Sequence, residues 1–203
     1  GDDYEKFLAF VQTIEKAPGN PIYEWSHLEL RRYFNIDLTI KKENASEIWY
    51  QANQKLQTDA YRPKELLKMM KVKVVCTTDD PIDDLVAHEA LAKEKDSLKV
   101  LPTFRPDASW GITDEHFGEY MRKLAQCTHQ KIESFTDLTQ ALSKRVTYFH
   151  EKGGRLADQG LNTYFYQKAS ETELNTILTD ALQGKRDFSK KETAQFKTAI
   201  QLH

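Results

Sequence analysis

Apolar positions recur at helical spacing through much of the chain. Phe7, Phe10, Val11 and Ile14 mark an N-terminal helix, and residues 44–57 read as a second one. Asn44, with Glu47 three residues later, has the spacing of a capping box for that helix. Met69 and Met70 close a further short helix. The pattern then changes. Lys71 to Thr78 is a β-like run with an apolar centre, followed by Asp80-Pro81, a cap residue and a first-turn proline that predict a helix running to about Lys95. Lys99 to Phe104 is a second β-like run, and a strand–helix–strand unit implies parallel strands.

Residues 113–150 break this alternation. Phe117, Tyr120, Met121 and Leu124 predict one helix, and Leu138, Leu142, Val146 and Phe149 another, with no strand between them. This is a helical insertion, and Gly153-Gly154 stops it. Arg155 to Gly160 reads as a third short strand entering a loop. Leu174, Ile177, Leu178, Ala181 and Leu182 form a helix opened by Ser170 and Glu173, and Ser189 and Glu192 open a final helix in the same way. Ala199 to His203 is expected to be a fourth strand. The fold class is α/β, and four strands make half of an eight-stranded (β/α)8 barrel. The expected division is a helical region at 1–70, a strand–helix–strand unit at 71–112, the insertion at 113–152 and further barrel elements at 153–203.

Composition narrows the function classes. The 203 residues carry 29 basic and 31 acidic side chains, a formal net charge of -2, so nothing points to nucleic acid or to an anionic membrane surface. No apolar run approaches the roughly 18 residues of a membrane span. The acidic, helical start from Gly1 to Lys6 is unlike a signal peptide. Cys76 and Cys127 share no motif spacing and read as small hydrophobes in a reduced, cytoplasmic compartment.

Candidate chemistry lies where β-like runs end. Asp79 and Asp80 follow the first run, Arg105 and Asp107 the second, Asp158 and Gln159 the third, and His203 the last. Ligands bind at the C-terminal ends of parallel strands, where an Arg can clamp a carboxylate with two parallel hydrogen bonds. Each residue also has a plainer reading: Asp80 as a helix cap, Arg105 and Asp107 as a surface pair, Asp158 as a turn residue before Gly160, and His203 as an exposed end. Trp25 to Phe34 puts aromatics and both charge signs on one helix, read either as a packing helix or as a contributor of Trp25 and His27 to a site. His88, His116, His129 and His150 read as structural or exposed, without partners. Gly-rich phosphate loops, His-Glu-x-x-His and Gly-x-Ser-x-Gly are all absent.

Taken in order, Asp3 to Phe10, Gly19 to Phe34 (with Trp25-Ser26-His27-Leu28-Glu29-Leu30), Cys76 to Asp83 and Leu101 to Asp107 resemble the uronate isomerases, or glucuronate isomerase family, of the amidohydrolase superfamily. Arg155 to Leu161 and Gln201-Leu202-His203 agree more weakly. The resemblance implies an internal portion of a (β/α)8 barrel enzyme that interconverts a hexuronate aldose and its ketose, glucuronate with fructuronate or galacturonate with tagaturonate, through an enediol. It implies a divalent metal, usually zinc. It places Arg105, Asp79, Asp80, Trp25 and His27 at the substrate, Asp158 and His203 in catalysis, and His203 near the metal. Gln159 stands where the family has His, and the join from Phe196 to His203 is shorter than the family's. The family's His-x-His metal pair lies upstream of Gly1 and its late barrel Asp downstream of His203, so residues 1–203 alone are expected not to turn over uronates. A metal-dependent hydrolase of the same superfamily and a non-catalytic, self-associating fragment are the competing readings; homo-oligomers remain open.

Overall fold

The computed structural model describes residues 1–94, 97–161 and 163–203, so the expected helix end at Lys95 lies outside the described residues. The chain divides into two compact units, Gly1–Lys73 and Val74–His203. Among the described residues, no helix is long and apolar enough to cross a membrane.

The first unit is helical: α1 (Asp3–Ile14), α2 (Pro21–Phe34), α3 (Ala45–Leu56) and α4 (Pro63–Met69). Asp2 caps α1 and Glu5 returns the bond, satisfying two amides that the first turn leaves free. Asn20 caps α2 ahead of Pro21. Val11, Ile14, Ile36, Ile40, Ala45 and Ile48 form the core. The capping box expected at α3 does not form. Asn44 sits in a 3-10 turn with φ -97° and ψ -4°, so its side chain instead donates to the Thr39 carbonyl, and Glu47 accepts from Gln51.

Within this unit His27 is a strap between α2 and the following segment. The Ile40 amide donates to Nε2 at 2.8 Å, so the ring proton is on Nδ1, which lies 2.7 Å from the Tyr23 carbonyl. Both ring nitrogens are committed. Trp25, two residues earlier, is 58% exposed.

The second unit mixes strands and helices: β1 (Val74–Cys76), α5 (Val86–Lys93), β2 (Lys99–Leu101), β3 (Thr103–Phe104), α6 (Phe117–Thr128), α7 (Phe135–Glu151), β4 (Leu156–Ala157), α8 (Glu171–Leu182) and α9 (Lys190–Leu202). β1 pairs in parallel with β2, and β3 with β4. A parallel bridge from Asp79 to Phe104 continues the β1–β2 register past Pro102, so β2 and β3 act as one middle strand. Pro102 has no N–H to donate and marks the break between them. Four helices, α6 to α9, build the core with Trp110 and Ile112. Phe117 and Phe196 are fully buried and meet edge to face, each worth about 1.5–3 kcal/mol of burial.

Four expectations are corrected here. Ala199–His203 is not a strand: α9 continues to Leu202, because Phe196 and Ile200 are buried four residues apart and Ser189 with Glu192 nucleates the helix. The helix after β1 starts at Val86 rather than at Pro81. Asp80 bonds the Ile82 amide in a local turn, and Leu85 adopts a left-handed φ of 54°, so no helix forms between them. Cys76, expected as a small hydrophobe, is exposed together with Val74 at the edge formed by β1. On α7, Val146 is exposed and its neighbour Arg145 is buried instead.

Removing the His27 strap leaves the amide of buried Ile40 unpaired. His27→Ala is expected to lower unfolding stability by about 1–3 kcal/mol and to speed exchange of the Ile40 amide, while Trp25→Ala stays within about 0.5 kcal/mol. Denaturant unfolding and hydrogen exchange check both; an unaltered Ile40 amide in His27→Ala would contradict the assignment.

Candidate active site

The parallel ladder decides which side chains meet. Phe104 pairs with Asp79 on one side and with Ala157 on the other. The backbone follows suit. The Arg105 amide donates to the Asp79 carbonyl at 2.9 Å, and the Asp158 amide donates to the Phe104 carbonyl at 3.0 Å. Asp79, Arg105 and Asp158 therefore stand together at the C-terminal end of the sheet.

Arg105 is held between two carboxylates. Its Nε donates to Asp107 Oδ2 at 2.9 Å and its Nη1 to Asp158 Oδ2 at 3.2 Å. The Asp107 bond and charge are the main reason its pKa is pushed further up. Asp107 Oδ2 also receives the Gly160 amide at 2.8 Å, while its Oδ1 is buried without a hydrogen-bond partner among the described residues. A Cβ on Gly160 would fall 2.7 Å from Arg105 Nη2 and 2.8 Å from Asp107 Oδ2, so only glycine leaves room for the guanidinium in this position. The surface-pair alternative for Arg105 and Asp107 is thus part of a larger cluster, in which the third corner of the guanidinium, Nη2, has no hydrogen-bond partner among the described residues.

Asp79 and Asp80 are committed inward. Asp79 Oδ2 accepts from the Thr77 hydroxyl at 2.6 Å and from the Thr103 amide at 3.0 Å. Asp80 Oδ1 accepts from the Ile82 amide at 3.0 Å and from the Tyr120 hydroxyl at 2.9 Å. Burial is the leading cause that raises the Asp80 pKa, and burial beside Asp80 pushes the Tyr120 phenol well up. Two helices, α6 and α7, grip this loop. Buried Arg145 of α7 donates to the carbonyls of Pro81 and Asp83, and its guanidinium lies 4.0 Å from the Tyr148 ring centroid.

His203 ends α9, not a strand, and its Nε2 lies 2.7 Å from the Ser143 hydroxyl. It borders a cavity of about 280 Å3 together with Phe104, Pro106, Gln159 and Gln201. Gln159 is turned to Gln201, at 2.7 Å. No hydrogen bond joins His203 to Asp79, Arg105 or Asp158 among the described residues. Those residues bring no three His, Cys, Asp or Glu side chains into a group that could hold a metal ion. His203 is thus left with a hydroxyl partner, and Asp158 with a guanidinium. A four-coordinate zinc site does not fit the donor set of this chain alone.

The sequence reading missed three residues. His88 is not partnerless: its Nε2 lies 2.8 Å from the Thr77 hydroxyl and 3.8 Å from Asp79 Oδ1. His116 is not partnerless either, lying 3.5 Å from Glu115. Tyr120 enters the sequence analysis only as a helix position, although a phenol on an apolar face signals a buried acceptor.

The raised pKa of Asp80 sets a pH dependence. The folded state holds the proton more tightly than the unfolded chain, so this group's stabilisation is complete below its ordinary value of 3.8 and is lost as pH rises through the folded value. Asp80→Asn keeps an oxygen for Ile82 and Tyr120 but never ionises. The variant is expected to gain stability over the parent as pH rises through that window and to hold the gain above it. Urea midpoints of both proteins from acid to neutral pH read this out; a difference independent of pH contradicts it.

A family model described as glucuronate isomerase matches residues 1–203. The uronate isomerase of Lactococcus lactis subsp. cremoris is 48% identical over 200 residues, covering 98% of this chain and 42% of that protein. The uronate isomerase of Latilactobacillus sakei is 43% identical over 202 residues, covering 98% of this chain and 43% of that protein. The crystal structure of uronate isomerase from Thermotoga maritima superposes with a TM-score of 0.88 at 31% identity, covering 100% of this chain and 44% of that one. Glucuronate isomerase from Caulobacter crescentus gives 0.87 at 22% identity over 98% of this chain and 41% of its own, a likeness of fold. The chain spans 42–43% of the length of the two curated relatives. With a matching family model along its whole length, the chain belongs to the glucuronate isomerase family.

Proposed function

We propose that the full-length protein is a uronate isomerase that interconverts hexuronate aldoses and ketoses in the cytoplasm. The observation that supports this most is the family match over residues 1–203, together with the Asp79–Arg105–Asp158 cluster at one end of a parallel sheet. The sheet is read as part of a (β/α)8 barrel, whose remaining strands come from outside this chain, and α6 and α7 as an insertion into it.

In this reading Arg105 receives the sugar carboxylate on Nη2, the corner of the guanidinium that neither Asp107 nor Asp158 occupies. Asp107 and Asp158 hold the fork in place, so less side-chain freedom is lost on binding. Asp158 Oδ1 faces a sugar hydroxyl, as acceptor or proton carrier. Asp79 and Asp80 shape the site through their backbone, since their carboxylates are engaged within the fold. Trp25 and His27 remain candidate substrate contacts of the first unit. Of the two, Trp25 is the one with a free face, because both His27 nitrogens are bonded. A divalent metal such as zinc would hold the carbonyl and hydroxyl oxygens of the substrate. Its main ligands would come from the rest of the full-length protein, and His203 is a contributor only if it leaves Ser143.

The test is an aldose–ketose assay on the full-length protein with glucuronate and galacturonate, beside Arg105→Lys. A lysine is a single point charge and cannot bond Asp107 and Asp158 while offering a third corner to the substrate. kcat/KM is expected to fall at least about tenfold, one charge-assisted bond being worth roughly 1.5–3 kcal/mol. The melting temperature is expected to hold. Residues 1–203 alone are expected to show no turnover. Near-parental kinetics for Arg105→Lys would remove Arg105 from the site, and an inactive full-length protein would overturn the function.

A further inference from the structure

We infer that His88 and Thr77 are positioning residues for the strand-end site, acting on Arg105 through Asp79. The inference rests on the isomerase reading above for its catalytic consequence. The geometry behind it stands by itself.

A threonine hydroxyl has one proton. Thr77 Oγ1 lies 2.6 Å from Asp79 Oδ2, an acceptor-only carboxylate oxygen, and 3.3 Å from the Leu101 carbonyl, so its one proton goes to the nearer, charged acceptor. The hydroxyl must then accept from His88 Nε2 at 2.8 Å, which fixes His88 as the tautomer protonated on Nε2. His88 Nδ1 is left buried with no hydrogen-bond partner among the described residues. The result is a one-way chain: His88 Nε2–H to Thr77, Thr77 O–H to Asp79, with the Thr103 amide entering Asp79 Oδ2 from the other side at 3.0 Å.

This chain replaces part of the sheet. In the parallel register, the Thr77 amide donates to the Leu101 carbonyl and the Asp79 amide to the Thr103 carbonyl. The Thr103 amide between them would ordinarily return to the Thr77 carbonyl. Here it goes to the Asp79 carboxylate. One rung of the ladder therefore runs through a side chain, and the orientation of that side chain depends on Thr77 and, behind it, on His88. The next rung is the Arg105 amide on the Asp79 carbonyl at 2.9 Å. A carboxylate that is only 12% exposed and fixed from two sides leaves Asp79 little freedom, and Asp79 passes that constraint to the backbone of Arg105. His88 sits on α5, whose register against β2 is set by the strand–helix–strand crossover. The helix thereby reports its position to the site.

The test uses the full-length protein. Thr77→Val and His88→Ala break the chain; Thr77→Ser and His88→Gln keep its hydroxyl and its N–H donor. The two breaking variants are expected to lower kcat/KM by about tenfold, and the two conservative ones to restore it. In an Arg105→Lys background, His88→Ala is expected to cause no further loss, because both changes remove the same contribution. Losses that multiply in that background would show a general structural role and overturn the inference. Hydrogen exchange gives a second readout that needs no turnover. The Thr103 and Arg105 amides are expected to exchange about tenfold faster in His88→Ala, with the α7 amides unchanged as control. Unchanged protection of both amides overturns the inference. If the parent protein proves inactive on both uronates, the isomerase reading falls, and the exchange result alone decides whether His88 and Thr77 hold Asp79.

Discussion

Phe104 is paired on both edges, and the arrangement of the second unit depends on that double pairing. Asp79 bridges to it from one side and Ala157 from the other, both in parallel. Because side chains alternate along a strand, a slip of one residue on either edge would turn the following residue to the opposite face. The register therefore sets which charges meet after the strands end. Arg105 comes out between Asp79 and Asp158, and Asp107 folds back onto it through the turn that begins at Pro106. The ring of Phe104 packs edge to face on Phe149 of α7, with centroids 5.2 Å apart, which ties the same residue to the helical layer.

The charge balance around this point explains how the polar groups are distributed. Asp79, Asp80, Asp107 and Asp158 crowd the strand ends, and among the described residues Arg105 bonds two of them, Asp107 and Asp158, while His88 lies 3.8 Å from Asp79. Mutual repulsion is relieved by neutral donors: the Thr77 hydroxyl, the Tyr120 hydroxyl and the amides of Thr103, Ile82 and Gly160. Arg145 adds a second positive charge close by, but it spends its donors on the backbone carbonyls of Pro81 and Asp83. That choice makes helices α6 and α7 part of the support of the strand ends. α6 and α7 hold the loop after β1 through Tyr120, Arg145 and Tyr148.

Much of this was legible in the sequence, and the misses have definite causes. Apolar runs that end in charge, at Asp79, Arg105 and Asp158, mark the strand ends because a β-like run and the polar stretch that closes it are both local features of the sequence. The boxes at Ser170 and Ser189 were legible for the same reason. The helix after β1 was placed too early because Asp80-Pro81 satisfies a cap pattern that a simple turn also satisfies. The last five residues were read as a strand because a short apolar run has no period of its own; burial of Phe196 and Ile200 on one side resolves it to helix. Arg145 was invisible because its methylenes and guanidinium fill a core position that the apolar pattern gave to Val146. The link from His88 to Thr77 spans eleven residues and a helix, and no spacing rule announces it.

In the isomerase proposed above, the guanidinium of Arg105 works from the position that the Asp107–Asp158 fork and the missing side chain at Gly160 define. Gly160→Ala tests it most directly. The added methyl would overlap Arg105 Nη2 and Asp107 Oδ2 without touching the core. The full-length variant is expected to keep its melting temperature within a few degrees and to lose kcat/KM on hexuronates by about tenfold or more. Parental kinetics in a folded Gly160→Ala protein would contradict it.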